Sequence, residues 1–331
     1  MKLVIGLLIS LFFLFLAFRK VEIAQMWQSL RTANYLYLIP TLVTIFLSHF
    51  LRAFRWRYLL DPIRRLDTKS LFSSLLIGYA ANVVTPAHLG EILRAYVLSK
   101  KRALSMSATL ATVVMERIID VFSLLALMAL ALAIYPFPKW VVKSGTLLFA
   151  LTGALFLVLV ILKKSRSLAR FSTALTLRVL PGGLAQRMEG LLGGFLSGIV
   201  PLRRWHDYIT VTFLSIVIWG CYGLIFYFCL HAFGFVNAFQ LPWHVSLILL
   251  VITCVAVVVP SSPAYIGPYH YLCQMTLAMF GVPAGPALSY ATVVHAVTFL
   301  PVLLFGMVLA NYEGMSVSRA SVKEDALGTF S

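Results

Sequence analysis

From Tyr208 to Tyr312 the chain carries no lysine, arginine, aspartate or glutamate. A stretch of that length without charge has no soluble solution. Inside hydrocarbon every backbone amide and carbonyl must be satisfied internally, which leaves helices or closed barrels. The apolar runs approach the roughly 20 residues that a spanning helix needs. Over all 331 residues, 61% are hydrophobic and 11% charged, so an all-α polytopic membrane protein is expected.

The charge that remains is placed, not scattered. Lysine and arginine number 27 against 11 acidic residues, a net charge of +16. Such a balance would suit nucleic acid, but the basic residues sit in short stretches between apolar runs. That pattern sets membrane topology and attracts anionic lipid headgroups, so no nucleic-acid partner is expected. Cys221, Cys229, Cys254 and Cys273 lie within apolar stretches without CxxC spacing, which indicates packing residues and neither a disulfide framework nor a metal site. No cofactor is expected.

Read in order, Leu3 to Phe18 is a first, uncleaved span. Val21 to Ala33 has helical apolar spacing at Ile23, Met26, Trp27 and Leu30 and suits a helix lying in the interface. Tyr35 to Leu51 is a second span, followed by a basic loop over 52–69 that is placed in the cytoplasm. Leu71 to Thr85 is too short to cross. It breaks at Asn82 and Pro86 and resumes as a helix carrying Glu91 and Arg94, up to Lys100, Lys101 and Arg102. Basic clusters on both sides make 71–99 a re-entrant hairpin. Leu104 to Tyr135 and Val141 to Leu162 are spans, 163–206 is a cytoplasmic amphipathic section, and Tyr208 to Phe233 is a span. Trp243 to Val259 then runs into Pro260-Ser261-Ser262-Pro263-Ala264-Tyr265-Ile266-Gly267-Pro268, which cannot continue a helix. Tyr269 to Phe280 follows, so 242–281 reads as a second broken hairpin. Ala287 to Ala310 is the last span and 313–331 a polar tail.

This order repeats. Residues 1–135 and 141–312 each give span, interfacial section, span, broken hairpin and span. Three crossings in the first copy invert the second. The expectation is therefore six full spans, two re-entrant hairpins and both termini cytoplasmic. Inverted repeats with broken helices meeting at the centre are a transporter architecture.

Two readings of the Gly78–Arg94 stretch stay open: the polar centre of the bundle, or an interfacial loop leading into a surface helix. Glu91 and Arg94 at i and i+3 can pair, and the broken helix offers backbone donors beside them. Glu116 and Asp120 share one helical face deep in their span, with Arg117 able to reach Asp120. An unpaired charge at such depth costs on the order of 2.5–3.5 kcal/mol, so these groups either lock the spans as an ion-pair network or bind a headgroup. His270, flanked by Tyr269 and Tyr271, stands just after the second break, and His295 is mid-span. Each is read either as a packing residue or as a proton carrier. Pro260, Ser262 and Pro263 are backbone shapers, Ser262 also a hydroxyl ligand. The loop arginines are read as topology determinants.

The stretch Asn82-Val83-Val84-Thr85-Pro86-Ala87-His88-Leu89-Gly90-Glu91-Ile92-Leu93-Arg94-Ala95 resembles the flippase-like membrane family that includes the transmembrane half of bacterial lysylphosphatidylglycerol synthases. Members follow it with a Glu-Arg-x-x-Asp span, similar to Glu116-Arg117-Ile118-Ile119-Asp120. A later Pro-x-x-Pro-Gly-x-x-Gly segment is similar to Pro260 to Gly267, and an upstream Arg-x-x-Arg-Trp fits Arg52 to Trp56. His88 stands where the family usually has Arg, Ala264 where it has Gly, and His270 where an acid is common. The soluble aminoacyl-transfer domain is expected to be absent. The resemblance implies movement of an anionic phospholipid or a polyprenyl-phosphate type headgroup between leaflets, in the plasma membrane of a prokaryote. The substrate-binding candidates are then Asn82, His88, Glu91, Arg94, Glu116, Arg117, Asp120, Ser262 and His270. Pro86, Gly90, Pro260, Pro263 and Gly267 shape the breaks. A homo-oligomer is compatible with this reading.

Two other classes compete. An intramembrane lipid-modifying transferase is disfavoured because no DxD, Ser-x-x-Lys or H-E-x-x-H motif occurs. A non-transporting lipid-binding partner would bind lipid without moving it.

Overall fold

The computed structural model describes residues 2–85, 89–136, 139–164, 190–191, 193–258 and 263–314. Among these residues the regular structure is entirely helical. Four helices are long and apolar enough to cross a membrane: α3 (Leu38–Leu60, entered through a tight turn at Tyr35–Tyr37), α6 (Met106–Ile134), α8 (Trp205–Ala232) and α12 (Ala284–Tyr312). The expected first and fourth spans coincide with α1 (Lys2–Phe18) and α7 (Lys139–Lys164), whose apolar stretches are shorter. The chain is thus a multi-pass helical membrane protein. The expected amphipathic section over 163–206 and the tail over 313–331 lie mostly outside the described residues.

The segment expected to lie in the interface forms α2 (Ile23–Thr32), a helix with no buried residue. Ile23 and Trp27 are exposed on it, and it is tied down by a hydrogen bond from Ser289 Oγ of α12 to the Met26 carbonyl at 2.8 Å.

The first expected hairpin is α4 (Thr68–Val84) and α5 (Leu89–Arg102), running antiparallel. Asp67 caps α4 by accepting from the Ser70 amide at 2.9 Å. Arg102 at the end of α5 returns to Asp67 and Ser70, and Arg64 donates to the Arg102 carbonyl at 2.7 Å. Burial pushes the Asp67 carboxyl up, but the Ser70 bonds and Arg102 outweigh it and hold its pKa below the ordinary value. At the crossing, a Cβ on Gly78 would come within 2.7 Å of both Arg94 Cβ and the Gly90 carbonyl, and one on Gly90 would strike the Gly78 carbonyl. Only two glycines allow backbones this close. Gly90 therefore sits inside the first turn of α5, serving close approach rather than marking the break itself. Pro86 and His88 lie outside the described residues.

The second pair is α10 (Val245–Val258) and α11 (Pro268–Ala278), packed on each other. Ile248, Leu249 and Ile252 of α10 are all but inaccessible, as expected of a helix apolar all round. Between the two, Pro263–Tyr265 makes a tight turn in which Ala264 and Tyr265 take φ of 58° and 59°. Gly267, at φ 101°, precedes Pro268 in the first turn of α11. The four-residue α9 (Phe235–Ala238) links α8 to this region. Pro260 and Ser262 lie outside the described residues.

One expectation fails outright. The second span was expected to end at Leu51, with 52–69 as loop, yet α3 continues to Leu60. Arg52, Arg55 and Trp56 are buried, so they do not mark a loop. The reason is charge pairing, described next.

Candidate functional site

Glu116 and Asp120 lie one turn apart on α6 and face α3, which presents Arg52 and Arg55 three residues apart on one face. Arg52 Nη2 donates to Glu116 Oε1 at 2.7 Å and also to Asp120 Oδ2. Arg55 Nη2 donates to Asp120 Oδ1 at 2.6 Å and lies 3.6 Å from Glu116 Oε1. From α5, Arg94 Nη1 donates to Glu116 Oε2 at 3.1 Å. Its Nη2 is 2.8 Å from Glu91 Oε2, an ion pair lying off the hydrogen-bonding line. Arg117 Nη2 reaches Glu91 Oε1 at 2.7 Å, and its Nη1 donates to Asp120 Oδ2 at 3.4 Å.

These contacts close on themselves. Followed round, they run Arg52, Glu116, Arg94, Glu91, Arg117, Asp120 and back to Arg52, with Arg55 bridging the two inner carboxylates. Three helices each contribute what the others need, and no charge stands alone in hydrocarbon. Removing a carboxylate from such a buried set leaves arginines uncompensated, at a cost of about 3–5 kcal/mol.

Neutral groups hold the ring in shape. Arg52 Nη1 donates to Tyr222 Oη at 2.9 Å, and Arg55 Nη1 to Ser215 Oγ at 2.9 Å, both on α8. The Arg94 guanidinium lies 5.0 Å over the Trp56 ring, whose Nε1 donates to Thr112 Oγ1 at 2.9 Å. Arg52 lies 5.6 Å from the Tyr79 ring centre. Asn82 at the end of α4 accepts from the Gly90 amide at 2.8 Å, and its amide nitrogen donates to Glu91 Oε1 at 3.3 Å. This residue therefore links the close crossing of the hairpin to the ring.

Exposure is graded across the ring. The side chains of Arg55, Arg94 and Glu116 are fully buried, that of Glu91 is 16% exposed and that of Arg117 is 39% exposed. Arg117 and Glu91 form the open edge.

His270 is not in the ring. It packs with its ring centre 4.8 Å from that of His295, and His295 Nε2 donates to the Ala264 carbonyl at 2.7 Å. The two regions nonetheless approach. The Pro263–Tyr265 turn packs on α4.

A separate cavity of about 920 Å³ opens between α3, α6, α7, α8 and residues 198–202. Its α6 wall is the stripe Thr112, Met115, Ile119, Phe122 and Ala126. At 100° per residue the middle of that stripe is about 180° round the helix from Arg117, so this apolar space lies away from the open edge. It meets the ring's neighbours only at Ser215 and Thr112.

The pairings Glu91 with Arg94 and Arg117 with Asp120 stand as their spacing predicts. Arg52 and Arg55 are members that local reading assigned to the loop over 52–69, and it did not single out Tyr222 beside them. The available signal was the Arg-x-x-Arg-Trp motif, which puts two arginines on one face with an indole beside them.

Among known proteins, a UPF0104 membrane protein of Methanothermobacter thermautotrophicus is 22% identical over 311 residues, 88% of this chain and 90% of its own. A UPF0104 membrane protein of Methanocaldococcus jannaschii is 21% identical over 69% of this chain and 92% of its own. Another from the same organism is 26% identical over 46% of this chain and 48% of its own. No solved structure matches the chain. The family described as the lysylphosphatidylglycerol synthase TM region matches residues 3–306, and the chain belongs to that family.

Proposed function

We propose that this protein is a lipid flippase, moving an anionic phospholipid or lipid-linked headgroup between leaflets, and that the charged ring is its headgroup site. The observation that carries the reading is the ring itself: alternating arginines and carboxylates within the membrane part, closed on three helices and open at Arg117 and Glu91. A phosphate cannot cross hydrocarbon bare, so a transporter must offer charge complementarity while the acyl chains stay in lipid. Arginine suits the task because its planar fork gives two parallel hydrogen bonds to phosphate. Glu91 holds Arg117 when no lipid is bound, and exchange of partners lets the phosphate leave. The buried members Arg52, Arg55, Arg94, Glu116 and Asp120 keep that edge in place, with Asn82 setting Glu91.

The family's name, which pairs a phospholipid with a transmembrane region, supports a phospholipid cargo. The architecture proposed with it has six spans, two re-entrant hairpins over 71–99 and 242–281, and an inverted repeat of 1–135 and 141–312. The meeting of the Pro263–Tyr265 turn with α4 supports breaks that converge on the site. Anionic lipids would gather at the basic loops, which would face the cytoplasm together with both termini.

A leaflet-resolved assay on vesicles reconstituted with the purified protein tests the reading. Labelled anionic phospholipid should exchange between leaflets with the protein and not with an Arg117→Ala variant. Equal exchange by a folded variant would reduce the ring to a structural lock.

A further inference from the structure

Counted by charge, the ring is not balanced. Four guanidiniums, of Arg52, Arg55, Arg94 and Arg117, face three carboxylates, of Glu91, Glu116 and Asp120. Glu116 meets three arginines and Asp120 three, while Glu91 meets two, so all three are held ionised and the surplus is one positive charge. Nothing else among the described residues around the ring offsets it. From α8 to the end of α12 the chain carries one acid, Asp207, in the first turn of α8, and α4 carries only Lys69, in its first turn. The nearby His49, His270 and His295 pack against aromatic rings and add no negative charge in either protonation state.

The surplus has a location. Arg117 is the most exposed member, and its Nη2 and the Nη2 of buried Arg94 close on Glu91 from two sides at 2.7 and 2.8 Å. The surplus therefore sits beside Glu91, at the edge of the ring where Arg117 lies open.

We propose that this site is matched to a single net negative charge, so that its ligand class is the phosphodiester monoanion. The inference rests on the reading of the ring as a headgroup site and goes beyond it in setting the ligand's charge. A phosphodiester brings the ring to neutrality. A zwitterionic headgroup carries its own cation and leaves the surplus standing. A phosphomonoester dianion overshoots to a net negative charge. In a medium of low dielectric either mismatch costs far more than in water.

The test measures binding to the purified full-length protein in neutral detergent micelles at pH 8, where a phosphomonoester is largely dianionic. The probes are short-chain phosphatidylglycerol, phosphatidylcholine and phosphatidic acid, read by native mass spectrometry or calorimetry. Wild type should bind phosphatidylglycerol at least about tenfold more tightly than the other two. Glu91→Gln raises the ring to a surplus of two and should move the preference to phosphatidic acid. Arg117→Gln removes the surplus and should bring phosphatidylglycerol down to the level of phosphatidylcholine. Wild type binding phosphatidylcholine or phosphatidic acid as tightly as phosphatidylglycerol, or binding none of them, overturns the proposal. So does an unchanged preference in a folded Glu91→Gln protein. If a variant does not fold, the wild-type series alone decides. The leaflet assay separates the two ideas: selective binding without exchange removes the transport reading and keeps the charge rule. Exchange of phosphatidylcholine and phosphatidylglycerol at equal rates does the reverse.

Discussion

Arg117 of α6 and Glu91 of α5 meet at 2.7 Å, and they are the most exposed members of a charge ring whose other side chains are buried. Because Glu91 also meets Arg94, moving Arg117 off its partner leaves a carboxylate that is still paired. The open edge can therefore change partners without stranding a charge.

That asymmetry separates two arginines by experiment. Arg117→Ala should abolish lipid exchange while changing the melting temperature little, because its side chain is partly exposed and Glu91 keeps Arg94. Arg94→Ala should abolish exchange and also destabilise the protein by about 1–3 kcal/mol, since Glu116 Oε2 loses its hydrogen bond from a fully buried partner. Arg94→Lys should retain part of the activity, as the charge survives and the fork does not. Thermal melts in detergent beside the vesicle assay check this, and a stable, fully active Arg94→Ala protein would refute it.

The α4–α5 crossing depends on two hydrogens. Gly90→Ala drives a methyl into the Gly78 carbonyl and should cost at least about 1–3 kcal/mol as overpacking. It also separates Asn82 from the Gly90 amide and so from Glu91. Loss of exchange together with a lowered melting temperature is expected; a variant with wild-type melting would show that the helices part freely.

Ala264 holds a left-handed backbone, φ 58°, in which a Cβ is unfavourable by roughly 1–2 kcal/mol. Ala264→Gly should therefore raise the melting temperature, and Ala264→Val should lower it. If glycine gives no gain, the turn is not strained in the protein as it stands in a membrane.

Thiol accessibility addresses the topology. Arg64 and Asp67 contact Arg102, so Arg65→Cys and Lys100→Cys in a cysteine-free background should be labelled from the same side of sealed vesicles. Labelling from opposite sides would end the re-entrant reading. The same end gives a pH signature. The Asp67 pKa is lowered in the folded protein, so its contribution is complete above the ordinary carboxylate range and is lost as pH falls through the lowered value. Asp67→Asn should flatten that acid dependence, and an unchanged acid limb would place it elsewhere.

Hydropathy is a local property, and what depends on it was legible in the chain alone. The uncharged stretch from Tyr208 to Tyr312 demands membrane helices wherever it folds. The break before α11 follows from prolines that lack amide hydrogens and fix φ. Glu91 with Arg94 and Arg117 with Asp120 pair because three residues make nearly one turn. Arg52 and Arg55 show the limit. Locally they resemble any basic cluster at the end of a span, and the cost of burying a charge is set by its partner. Those partners, Glu116 and Asp120, stand more than sixty residues away, across two intervening helices. Only when α3, α5 and α6 pack together does the helix run on to Leu60, the ring close and one positive charge remain over.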